Sequence, residues 1–498
     1  MAPVPVPRQE LIGGPPAVEI RQPEPAVEIR PPEPVLSILE LLWRSGHAAY
    51  VVGGSIRDVI LGRLPADWDL ATDARPERIL ALFPGSAYEN RFGTVSVRSD
   101  GASFEITTFR SDHEHADHRR PDRVEFGDSI EVDLARRDFT INALAWGAEA
   151  PAGAEGAAVG GAGGAGYGAG SGVAAGAGPE PALIDLHGGL ADIETRIIRA
   201  VGDPRRRFEE DALRMVRAVR LATTLDFGIE AATLAAIQAR SSLVAHLSAE
   251  RVASELEKLL AAERPSVGLR LLAATEILAV ISPELAAQRG IPQNKIPGDD
   301  LWDHTIRTVD AVASEHPVVR LAALLHDMGK PATMADGHFL GHDAVGAELA
   351  TALMERLRLP KSVVERVAHL VRNHMFSYEL SWGDSGVRRF IQRVGREAIE
   401  PLLELREADN EGSGLARSAH DLDELRERVD AQLTARVVLE RRDLVIDGSD
   451  LITELGLSEG PMLGRILDAL LDQAVTDPTI NDRATLLLLA QAMLTEDR

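Results

Sequence analysis

The chain of 498 residues contains no cysteine. That absence excludes disulfides and thiolate metal sites, so any metal ion must be bound by His, Asp or Glu. Apolar runs are also short, and none reaches the roughly 18 residues of a membrane-spanning helix, so no membrane partner is expected. The start, MAPVPVPRQE, lacks a basic region followed by an apolar one, and this predicts a cytoplasmic rather than an exported protein.

The chain has fewer basic than acidic residues. The chain has 53 Lys and Arg against 77 Asp and Glu, for a net charge of −24. Because phosphate contacts come from Lys and Arg, this balance argues mildly against a nucleic-acid partner. Local patches nevertheless decide binding, and residues 196–220 carry eight arginines against four acidic residues. This segment is a basic island in an acidic chain.

Composition and periodicity divide the chain. Residues 1–33 are rich in Pro and Glu and are predicted to be a disordered tail. Short β-type runs (HAAYVVGG, DWDLAT, TVSVRS, SFEITTFR) alternate with helical ones over 34–203, which indicates a mixed α/β head. Within it, 148–180 reads as a disordered Gly/Ala-rich insertion in a surface loop. From about 204 helical periodicity dominates without convincing strands, so the fold class is α+β, a head followed by an all-helical body.

The segment VVGGSIRDVILGRLPADWDLAT, residues 51–72, combines two features of phosphate chemistry. Asp67 and Asp69, at i and i+2 on a predicted strand, share a face on which a pair of Mg²⁺ ions can bind. Gly53 and Gly54 form a strand-to-helix corner whose backbone N–H groups can approach a triphosphate, and Arg57 adds a forked donor. Taken singly, the glycine pair is equally well interpreted as a turn, and the two aspartates as a solvent-exposed acidic loop.

Two further stretches of the head carry polar side chains. Glu105 in FEITTFR is either a third metal carboxylate or the polar face of a strand. DLARRDFTINALAW places Arg136, Arg137, Asp138 and Asn142 before a helix-like apolar run. The arginines would neutralise phosphate and Asp138 would accept from a ribose hydroxyl; the alternative is a capped helix start with a salt bridge.

FEEDALRMVRAVR places Asp211 and Arg214 three residues apart on a predicted helix, where they are neighbours. One interpretation is an intrahelical ion pair of little consequence. The other uses base chemistry: the Watson–Crick edges of C and A present an amino donor beside a ring-nitrogen acceptor, and G and U present the reverse. An acceptor and a donor held side by side would therefore bind CTP and ATP. With GTP or UTP the polar groups would be left without hydrogen-bond partners.

The other arginines of the basic island are expected to play two different roles. Arg217 and Arg220 continue the helical spacing and are expected to face the triphosphate. Arg205, Arg206 and Arg207 lie just before this helix and are expected to bind RNA.

These motifs, together with RFGTVSV and LIDLHGGLADIETRIIRAVGDPRRRFEEDALRMVRAVRLA, resemble in order those of class II CCA-adding enzymes and bacterial poly(A) polymerases. The resemblance covers about 36–265 without the Gly/Ala insertion. It implies a polymerase-β-like head, and a helical neck over 204–265 that binds the base and RNA. It also implies that Asp67 and Asp69 bind catalytic Mg²⁺, that Gly54 and Arg57 meet the triphosphate, and that Asp211 with Arg214 is a protein template for the base.

The activity implied is template-independent addition of C, C and A to the 3′ end of tRNA from CTP and ATP, by two-metal nucleotidyl transfer. YENRFGTVSVRS resembles the CCA-adding form, and FRSDHEHADHRRPDRVEFGDS resembles the flexible loop of enzymes that add both C and A. Synthesis of poly(A), or addition of only C or only A, remains an alternative.

Residues 266–412 contain LWDHTIRTVDAVASEHPVVRLAALLHDMGKP, which resembles the HD superfamily of metal-dependent phosphohydrolases. The resemblance implies four metal ligands: His304, His326, Asp327 and Asp409. Such a mixed set suits Mn²⁺, Ni²⁺, Fe or Mg²⁺ and would activate a water for phosphoester hydrolysis. His342 or His374 would complete a second metal position.

Two alternatives of other classes follow from this second site. In one, the HD body hydrolyses nucleotides or RNA ends and the head only binds nucleotide. In the other, the protein binds RNA without catalysis. The tail, 413–498, is predicted to be helical, and GPMLGRIL within it is either a helix start offered to a tRNA phosphate or a plain helix cap.

Overall fold

The computed structural model describes residues 28–88, 93–113, 123–127, 129–149, 179–293, 295–414, 419–435 and 437–496. In the described part, the chain divides into two compact units, the first ending at Thr195 and the second starting at Arg196. The predicted tail therefore lies mostly outside the described residues. Ile29 is already buried, so the packed part of the first unit begins before residue 34.

The first unit is a mixed sheet with short helices. Its helices are α1 (Glu33–Arg44), α2 (Gly54–Ile60), α3 (Pro76–Leu82), α4 (Ile130–Ala135) and α5 (Gly189–Glu194). Its strands are β1 (Ala49–Val52), β2 (Asp69–Thr72), β3 (Ala87–Tyr88), β4 (Thr94–Ser99), β5 (Ala102–Thr108), β6 (Arg110–His113), β7 (Arg123–Phe126), β8 (Leu144–Ala148) and β9 (Ala182–Asp185). The four β-type runs read from the sequence are confirmed as β1, β2, β4 and β5.

Seven of these strands form one sheet in the order β3-β4-β5-β2-β1-β8-β9, and β6 pairs with β7 separately. β1 lies antiparallel to β2 and β8, whereas β2 lies parallel to β5. One face of the sheet is covered by an apolar cluster that includes Tyr50, Phe109, Ile130 and Leu134. β1 and β2 are thus adjacent inner strands of the sheet, and β1 leads into the corner at Gly53, from which α2 begins.

The apolar run of DFTINALAW was expected to be helix-like, and that expectation is wrong. A single 3₁₀ turn at Thr140–Asn142 leads into strand β8, which is paired on both sides, with β1 and with β9. A run this short is ambiguous by periodicity, and its place between two strands decides its conformation. The predicted insertion lies outside the described residues over 150–178, and it joins β8 and β9, which are antiparallel neighbours.

The second unit is helical apart from one small parallel pair, β10 (Ile197–Ile198) with β11 (Gly228–Ile229). The expectation of no strand beyond 204 is therefore wrong at β11. The pairing also places 196–203 in the second unit, ahead of the predicted boundary at 203. Two residues per strand are too few to produce an alternating pattern, which is why the sequence does not reveal them.

The helices of the second unit are, in chain order, α6 (Pro204–Glu210), α7 (Leu213–Leu225), α8 (Ala231–Arg240), α9 (Ala249–Leu260), α10 (Pro265–Ala274), α11 (Ile277–Ile281), α12 (Pro283–Ala286), α13 (Leu301–Ala311), α14 (Pro317–Leu325), α15 (Lys330–Thr333), α16 (His342–Arg356), α17 (Lys361–Asn373), α18 (Asp384–Val394), α19 (Ile399–Gly412), α20 (Ala419–Thr434), α21 (Gly448–Leu455), α22 (Pro461–Thr476) and α23 (Arg483–Glu496).

Packing within this unit positions two groups of functional side chains. α7 packs against α9, and α13 packs against α14 and α19, while α14 and α16 both contact α17. Helices α21 to α23 share a separate apolar cluster around Leu451, Leu470 and Leu486. None of the helices in the described residues is both long and apolar enough to cross a bilayer.

Candidate functional site

The glycine corner of the head requires glycine at its first position. Gly53 follows β1 with φ of 84°, and α2 begins at the next residue. A Cβ added at Gly53 would lie 2.7 Å from Nη1 of Arg137, and its N–H donates to the Leu144 carbonyl over 3.0 Å. Positive φ strains any larger residue here, and a Cβ would also displace the Arg137 guanidinium.

The paired aspartates lie beside this corner. In the β1–β2 ladder, Val52 is opposite Asp69, which is the first residue of β2. The expectation that both carboxylates lie on the strand is thus correct for Asp69 and wrong for Asp67. The reason is that β1 turns into α2 after Val52, so no partner strand remains beside 67 and 68. Both carboxylates are exposed at the strand end that faces the corner.

Glu105 lies on the strand next to Asp69. β2 and β5 run parallel with Leu70 opposite Ile106, and both of these side chains are buried. Because side chains alternate along a strand, Asp69 and Glu105 fall on the opposite face, and both are exposed. This placement is compatible with a third metal carboxylate, which remains a prediction.

A chain of hydrogen bonds joins the corner to the segment before β8. Nη1 of Arg57 donates to Oδ1 of Asn142 over 2.6 Å, and Nδ2 of Asn142 donates to Oδ1 of Asp138 over 3.1 Å. Asp138 also accepts from the Phe139 N–H at 2.8 Å. The structure therefore brings together three of the side chains that were predicted to contact nucleotide.

Sequence reasoning missed the buried carboxylate that orients the two arginines of this segment. Asp133 accepts from Nη2 of Arg136 at 2.7 Å and from Nη2 of Arg137 at 3.2 Å. Burial alone would raise the pKa of Asp133, but the charges of Arg136 and Arg137 outweigh it and hold this pKa below its usual value. The i, i+3 and i+4 spacing in DLARR is the signal that identifies it.

In the second unit, the proposed base-reading pair differs from the sequence prediction. Asp211 has extended backbone between α6 and α7, so it precedes α7 rather than lying within the helix of Arg214. Its Oδ1 instead accepts from the Leu213 N–H at 3.0 Å, and its Oδ2 accepts from Arg251 of α9 at 2.6 Å. An Asp at this break can cap the following helix, which a continuous helix would not allow.

Arg214 is held by a carboxylate that the sequence analysis also missed. Nη1 of Arg214 donates to Oε2 of Glu210 at 2.7 Å, and the same oxygen accepts from Nη1 of Arg207 at 2.8 Å. Glu210 is the last residue of α6 and Arg214 lies in the first turn of α7, so the pair spans the break at Asp211. Arg207 is therefore turned toward Glu210, whereas Arg205 and Arg206 are exposed.

The remaining arginines of the island are also paired. Glu255, a buried side chain of α9, lies 2.6 Å from Nε of Arg220 and 3.7 Å from Nη1 of Arg217. Arg199 pairs with Glu230 at 2.5 Å. The basic island is thus neutralised to a large extent by acids that follow it in sequence.

A second group of polar side chains is buried among α13, α14, α16, α17 and α19. All four side chains that the HD resemblance implied lie here, and both of the optional histidines join them. They form two sets in which the possible ligand atoms lie within 4.8 Å of one another: His304, His326 and Asp409, and Asp327, His342 and His374.

Backbone carbonyls orient three of the imidazoles. Nδ1 of His326 contacts the Ala323 carbonyl at 2.8 Å, that of His342 the Phe339 carbonyl at 2.7 Å, and that of His374 the Val371 carbonyl at 2.6 Å. A carbonyl can only accept, so Nδ1 carries the proton and Nε2 presents its lone pair to the centre. This is the arrangement of metal-ligating histidines.

Electrostatics favour the ligating protonation states of both carboxylates and of His374, whereas at His304 burial is outweighed by Asp327 and Asp409, which raise the pKa of its imidazole. Burial alone would raise the pKa of both carboxyls, but His326 and Lys330 hold the pKa of Asp327 well below its usual value, and His304 lowers that of Asp409. Burial, reinforced by His326, lowers the pKa of His374 to about 4. The carboxylates are therefore ionised and His374 is neutral at neutral pH, as metal binding requires.

Cationic side chains flank this group. Nζ of Lys330 donates to Oδ2 of Asp327 at 2.6 Å, and Nη1 of Arg406 donates to Oδ2 of Asp409 at 3.3 Å. Nζ of Lys295 lies 4.0 Å from Oδ1 of Asp409. These cations offer a phosphate group favourable charge beside the metal ligands.

Three family models match successive parts of the chain. The poly A polymerase head domain matches residues 49–154, the probable RNA and SrmB-binding site of polymerase A matches 226–289, and the HD domain matches 301–414. A CCA-adding enzyme of Lactococcus lactis subsp. cremoris is 31% identical over 470 residues, which are 92% of this chain and 95% of the relative.

The chain belongs to the family of CCA-adding enzymes.

Other members of the family agree with this assignment. The CCA-adding enzyme of Geobacillus thermodenitrificans is 41% identical over 252 residues, so that half of this chain matches about half (54%) of the relative's length. A crystal structure of the Bacillus stearothermophilus CCA-adding enzyme in complex with CTP has a TM-score of 0.63 and 28% identity, covering 94% of this chain and 99% of that one. The predicted α+β fold class, a polymerase-type head followed by helical domains with an HD domain, is confirmed, and so is the expectation of a nucleotidyltransferase.

Proposed function

We propose that this protein adds C, C and A to the 3′ end of tRNA without a nucleic-acid template, using CTP and ATP. The proposal rests on two ion pairs in the neck. Asp211 is held by Arg251, and Arg214 is held by Glu210. A held acceptor and a held donor match the edge pattern that C and A share, and relatives with the same domains are CCA-adding enzymes.

The head would perform the transfer. Asp69 and Glu105 are exposed carboxylates on adjacent strands, and Asp67 is exposed just before β2. The three fit Mg²⁺, which prefers oxygen ligands. Bound Mg²⁺ would supply charge stabilisation for an in-line displacement on the nucleotide's α-phosphorus. The N–H groups at the Gly53 and Gly54 corner would hold the triphosphate.

Polar side chains around the corner would bind the rest of the nucleotide. Arg57 and Arg137 both lie at the corner and both donate to Asn142. Arg57 donates to its side-chain oxygen, and Arg137 donates to its backbone carbonyl. Asp138 keeps acceptor capacity for a ribose hydroxyl, while Arg136 is tied to Asp133. Forked guanidinium donors suit phosphate oxygens, and their fixed partners reduce the entropy lost when nucleotide binds.

The neck would select the base. The Asp211 carboxylate accepts from the exocyclic amine of C or A, and the Arg214 guanidinium donates to the ring nitrogen beside it. Guanine and uracil present a carbonyl and an N–H in the reverse order, so both side chains would be left unpaired. Unpaired buried polar groups are a strong basis for discrimination.

tRNA would bind through exposed cations of the neck and the helical tail. Arg205 and Arg206 are exposed arginines of the island, and Arg207 would act through Glu210 rather than on phosphate. The start of α22, after Gly460, is a further place for an RNA phosphate. A cytoplasmic location belongs to the proposal, because tRNA and nucleotides are its substrates.

Incubating the protein with tRNA that lacks its terminus, and with each labelled nucleotide singly, tests this function. We expect incorporation from CTP alone, none from GTP or UTP, and incorporation from ATP only when the tRNA already ends in CC. Incorporation from ATP alone onto every acceptor would favour a poly(A) polymerase. Incorporation from CTP without a following A, or the converse, would favour an enzyme specific for one base.

A second candidate function rests on the buried His and Asp cluster. With Mn²⁺, Ni²⁺, Fe or Mg²⁺ bound, His304, His326, Asp327 and Asp409 would support phosphoester hydrolysis on nucleotides or RNA ends. The test is hydrolysis of 2′,3′-cyclic nucleotides and phosphomonoesters by wild type and by a His326→Ala/Asp327→Ala variant. We expect hydrolysis to disappear and CCA addition to remain. Equal hydrolysis by both proteins would contradict this activity.

A further inference from the structure

The head contains a cavity of about 290 Å³ whose lining shares no residue with the glycine corner or with the metal carboxylates. The cavity lies beside the first turn of α4. Its lining includes three carboxylates and two aromatic rings: Asp73, Glu131 and Glu149, and Tyr50 and Phe109. The volume is near the lower limit of the roughly 300–1,000 Å³ of small-molecule sites and far exceeds the roughly 30 Å³ of one water molecule.

Tyr50 presents an unbonded hydroxyl to this cavity. Tyr50 is 2% exposed, and among the residues that the structure describes none forms a hydrogen bond with its Oη. Burial raises the pKa of Tyr50 to about 12, with further contributions from the charges of the three carboxylates, that of Glu149 being the largest. The hydroxyl is therefore protonated and close to all three charges. Because a buried tyrosine hydroxyl usually has a hydrogen-bond partner, this one indicates a place for the polar group of a ligand.

Close packing holds the ring of Tyr50 in this orientation. The ring belongs to the apolar cluster beneath α4, and its centroid lies 6.1 Å from that of Phe109. Gly147 is the residue opposite Tyr50 on β8, and a Cβ added there would lie 2.9 Å from Cδ1 of Tyr50. The glycine thus makes room for the ring, and the surrounding packing fixes the hydroxyl at the cavity.

The three carboxylates have little positive charge to balance them. Nδ1 of His47 lies 3.0 Å from Oδ1 of Asp73, and the Ser129 hydroxyl donates to Glu131. In the described part of the chain, no lysine or arginine forms an ion pair with any of the three. Like charges gathered around one cavity repel one another, and a bound cation would relieve this repulsion.

We propose that this cavity binds a small aliphatic polyamine, a chain of methylene groups that carries two or more ammonium groups. The ammonium groups would pair with Glu131 and Glu149, both of which are exposed, and Oη of Tyr50 would accept a hydrogen bond from one of them. The methylene groups would pack on the Tyr50 and Phe109 rings, whose faces also attract cations. The site is separate from the nucleotide site, and the proposal does not depend on the proposed function.

Two other cations match the cavity less well. A single lysine or arginine side chain of another protein would bring one positive charge to three carboxylates. A divalent metal ion would leave most of the volume empty and make no use of the aromatic rings, because Mg²⁺ and Ca²⁺ bind oxygen ligands at about 2.0–2.6 Å. A polyamine satisfies the charge, the volume and the rings together.

Calorimetric titration of the full-length protein with spermidine tests the proposal. The protein carries Asp67→Ala and Asp69→Ala, so that the metal carboxylates do not compete for the amine. We expect one spermidine per chain, bound at least about tenfold more weakly after Glu131→Gln/Glu149→Gln, because hydrogen bonds to charged groups are lost. Glu180→Gln/Glu194→Gln, which removes two exposed charges elsewhere in the same unit, is the matched control and should change the affinity less than about twofold. Equal weakening by the two double variants would overturn the proposal.

A variant that removes only the hydroxyl separates this site from general attraction to an acidic surface. Tyr50→Phe keeps the ring and should weaken spermidine binding by about three- to tenfold, the value of one hydrogen bond. Its melting temperature without spermidine should not fall, because the hydroxyl has no partner to lose. An unchanged affinity for spermidine would overturn the proposal.

Competition distinguishes the polyamine from the other two cations. At constant ionic strength, neither Mg²⁺ nor the methylamide of Nα-acetyl-lysine should displace spermidine at equal concentration. Displacement by Mg²⁺ would assign the cavity to a metal ion, and displacement by the lysine derivative would assign it to a side chain of a protein partner. Either result would overturn the proposal.

Discussion

The guanidinium of Arg214 donates to the carboxylate of Glu210 over 2.7 Å, so that the orientation of the base-reading arginine depends on its neighbour. Changing Glu210→Ala releases Arg214 without removing either base-reading side chain. We expect misincorporation from UTP and GTP to rise at least about tenfold relative to CTP and ATP, because about 1.4 kcal/mol of orientation energy is a factor of 10. Competition assays with mixed nucleotides measure this ratio. Glu209→Ala, which breaks a half-buried pair with Arg240, is the control and should leave base choice unchanged.

The carboxylates Asp67 and Asp69 are predicted to act in chemistry and not in RNA binding. Asp67→Ala or Asp69→Ala should reduce nucleotide addition by a factor of about 10³ or more, since removing a preorganised electrostatic group costs about that much. Affinity for tRNA should stay within about twofold, measured by filter binding. Asp100→Asn, on the turn between β4 and β5, is the control. Parallel loss of tRNA binding would indicate that the aspartates are structural.

The corner glycine can be compared with another glycine of positive φ. Gly53 and Gly62 both have positive φ, but a Cβ at Gly53 meets Arg137 at 2.7 Å, and one at Gly62 meets nothing within 4 Å. Gly53→Ala and Gly62→Ala should each cost about 1–2 kcal/mol of stability from backbone strain. Only Gly53→Ala should also weaken CTP and ATP binding, measured by calorimetry. Equal nucleotide affinities in the two variants would contradict the assigned role of the corner.

The buried carboxylate of Asp133 should make the head sensitive to acid. The pKa of Asp133 is lower in the folded protein than in the unfolded chain, where it is about 3.9. The ionised carboxylate therefore contributes its full stabilisation at pH values above about 3.9, and this stabilisation is lost as the pH falls toward the pKa of the folded state. Asp133→Asn should lower the free energy of unfolding by about 3–5 kcal/mol at pH 7, because Arg136 and Arg137 lose their partner. Urea titrations should show this difference shrinking below about pH 4. Val132→Ala, a change on the same helix at an exposed position without charge, should show no such difference.

The salt dependence of tRNA binding should be small for an RNA enzyme. Most island arginines are paired with acids, which leaves Arg205 and Arg206 as the exposed candidates. Arg205→Ala/Arg206→Ala should reduce the slope of log affinity against log salt by about 1.4–1.8, the value for two phosphates. Arg205→Lys/Arg206→Lys should retain the slope. If the alanine variant keeps the wild-type slope, the main RNA contact lies elsewhere, with the helical tail as the next candidate.

The sequence predicted the elements that have their own periodicity or a contiguous motif. The runs EDALRMVRAVRLATTL, VVRLAALLHDMG and LGRILDALLDQAV were expected to be helices, and the structure has α7, α14 and α22 there. The HD ligands were predicted from the resemblance of the segment that contains His326 and Asp327 to the HD superfamily. His342 and His374 could be named as optional ligands, but which of them belongs depends on how α16 packs against α17.

Other features depend on contacts between distant residues and leave little trace in the sequence. The break at Asp211 is one, since its carboxylate is held by Arg251, forty residues away, in addition to its local bond from the Leu213 N–H. The strand β8 is another, because its partners β1 and β9 decide its conformation. Asp133 could have been found from its spacing to Arg136 and Arg137, but its burial could not.

Sequencing the products of one reaction tests the central claim most directly. A tRNA that ends at the discriminator base is incubated with the protein and all four nucleoside triphosphates, and the extended 3′ ends are read. The account predicts a single dominant product in which C, C and A are added in that order and extension then stops. A heterogeneous run of A residues, a product that stops at CC, or incorporation of G or U at a rate similar to C would contradict it.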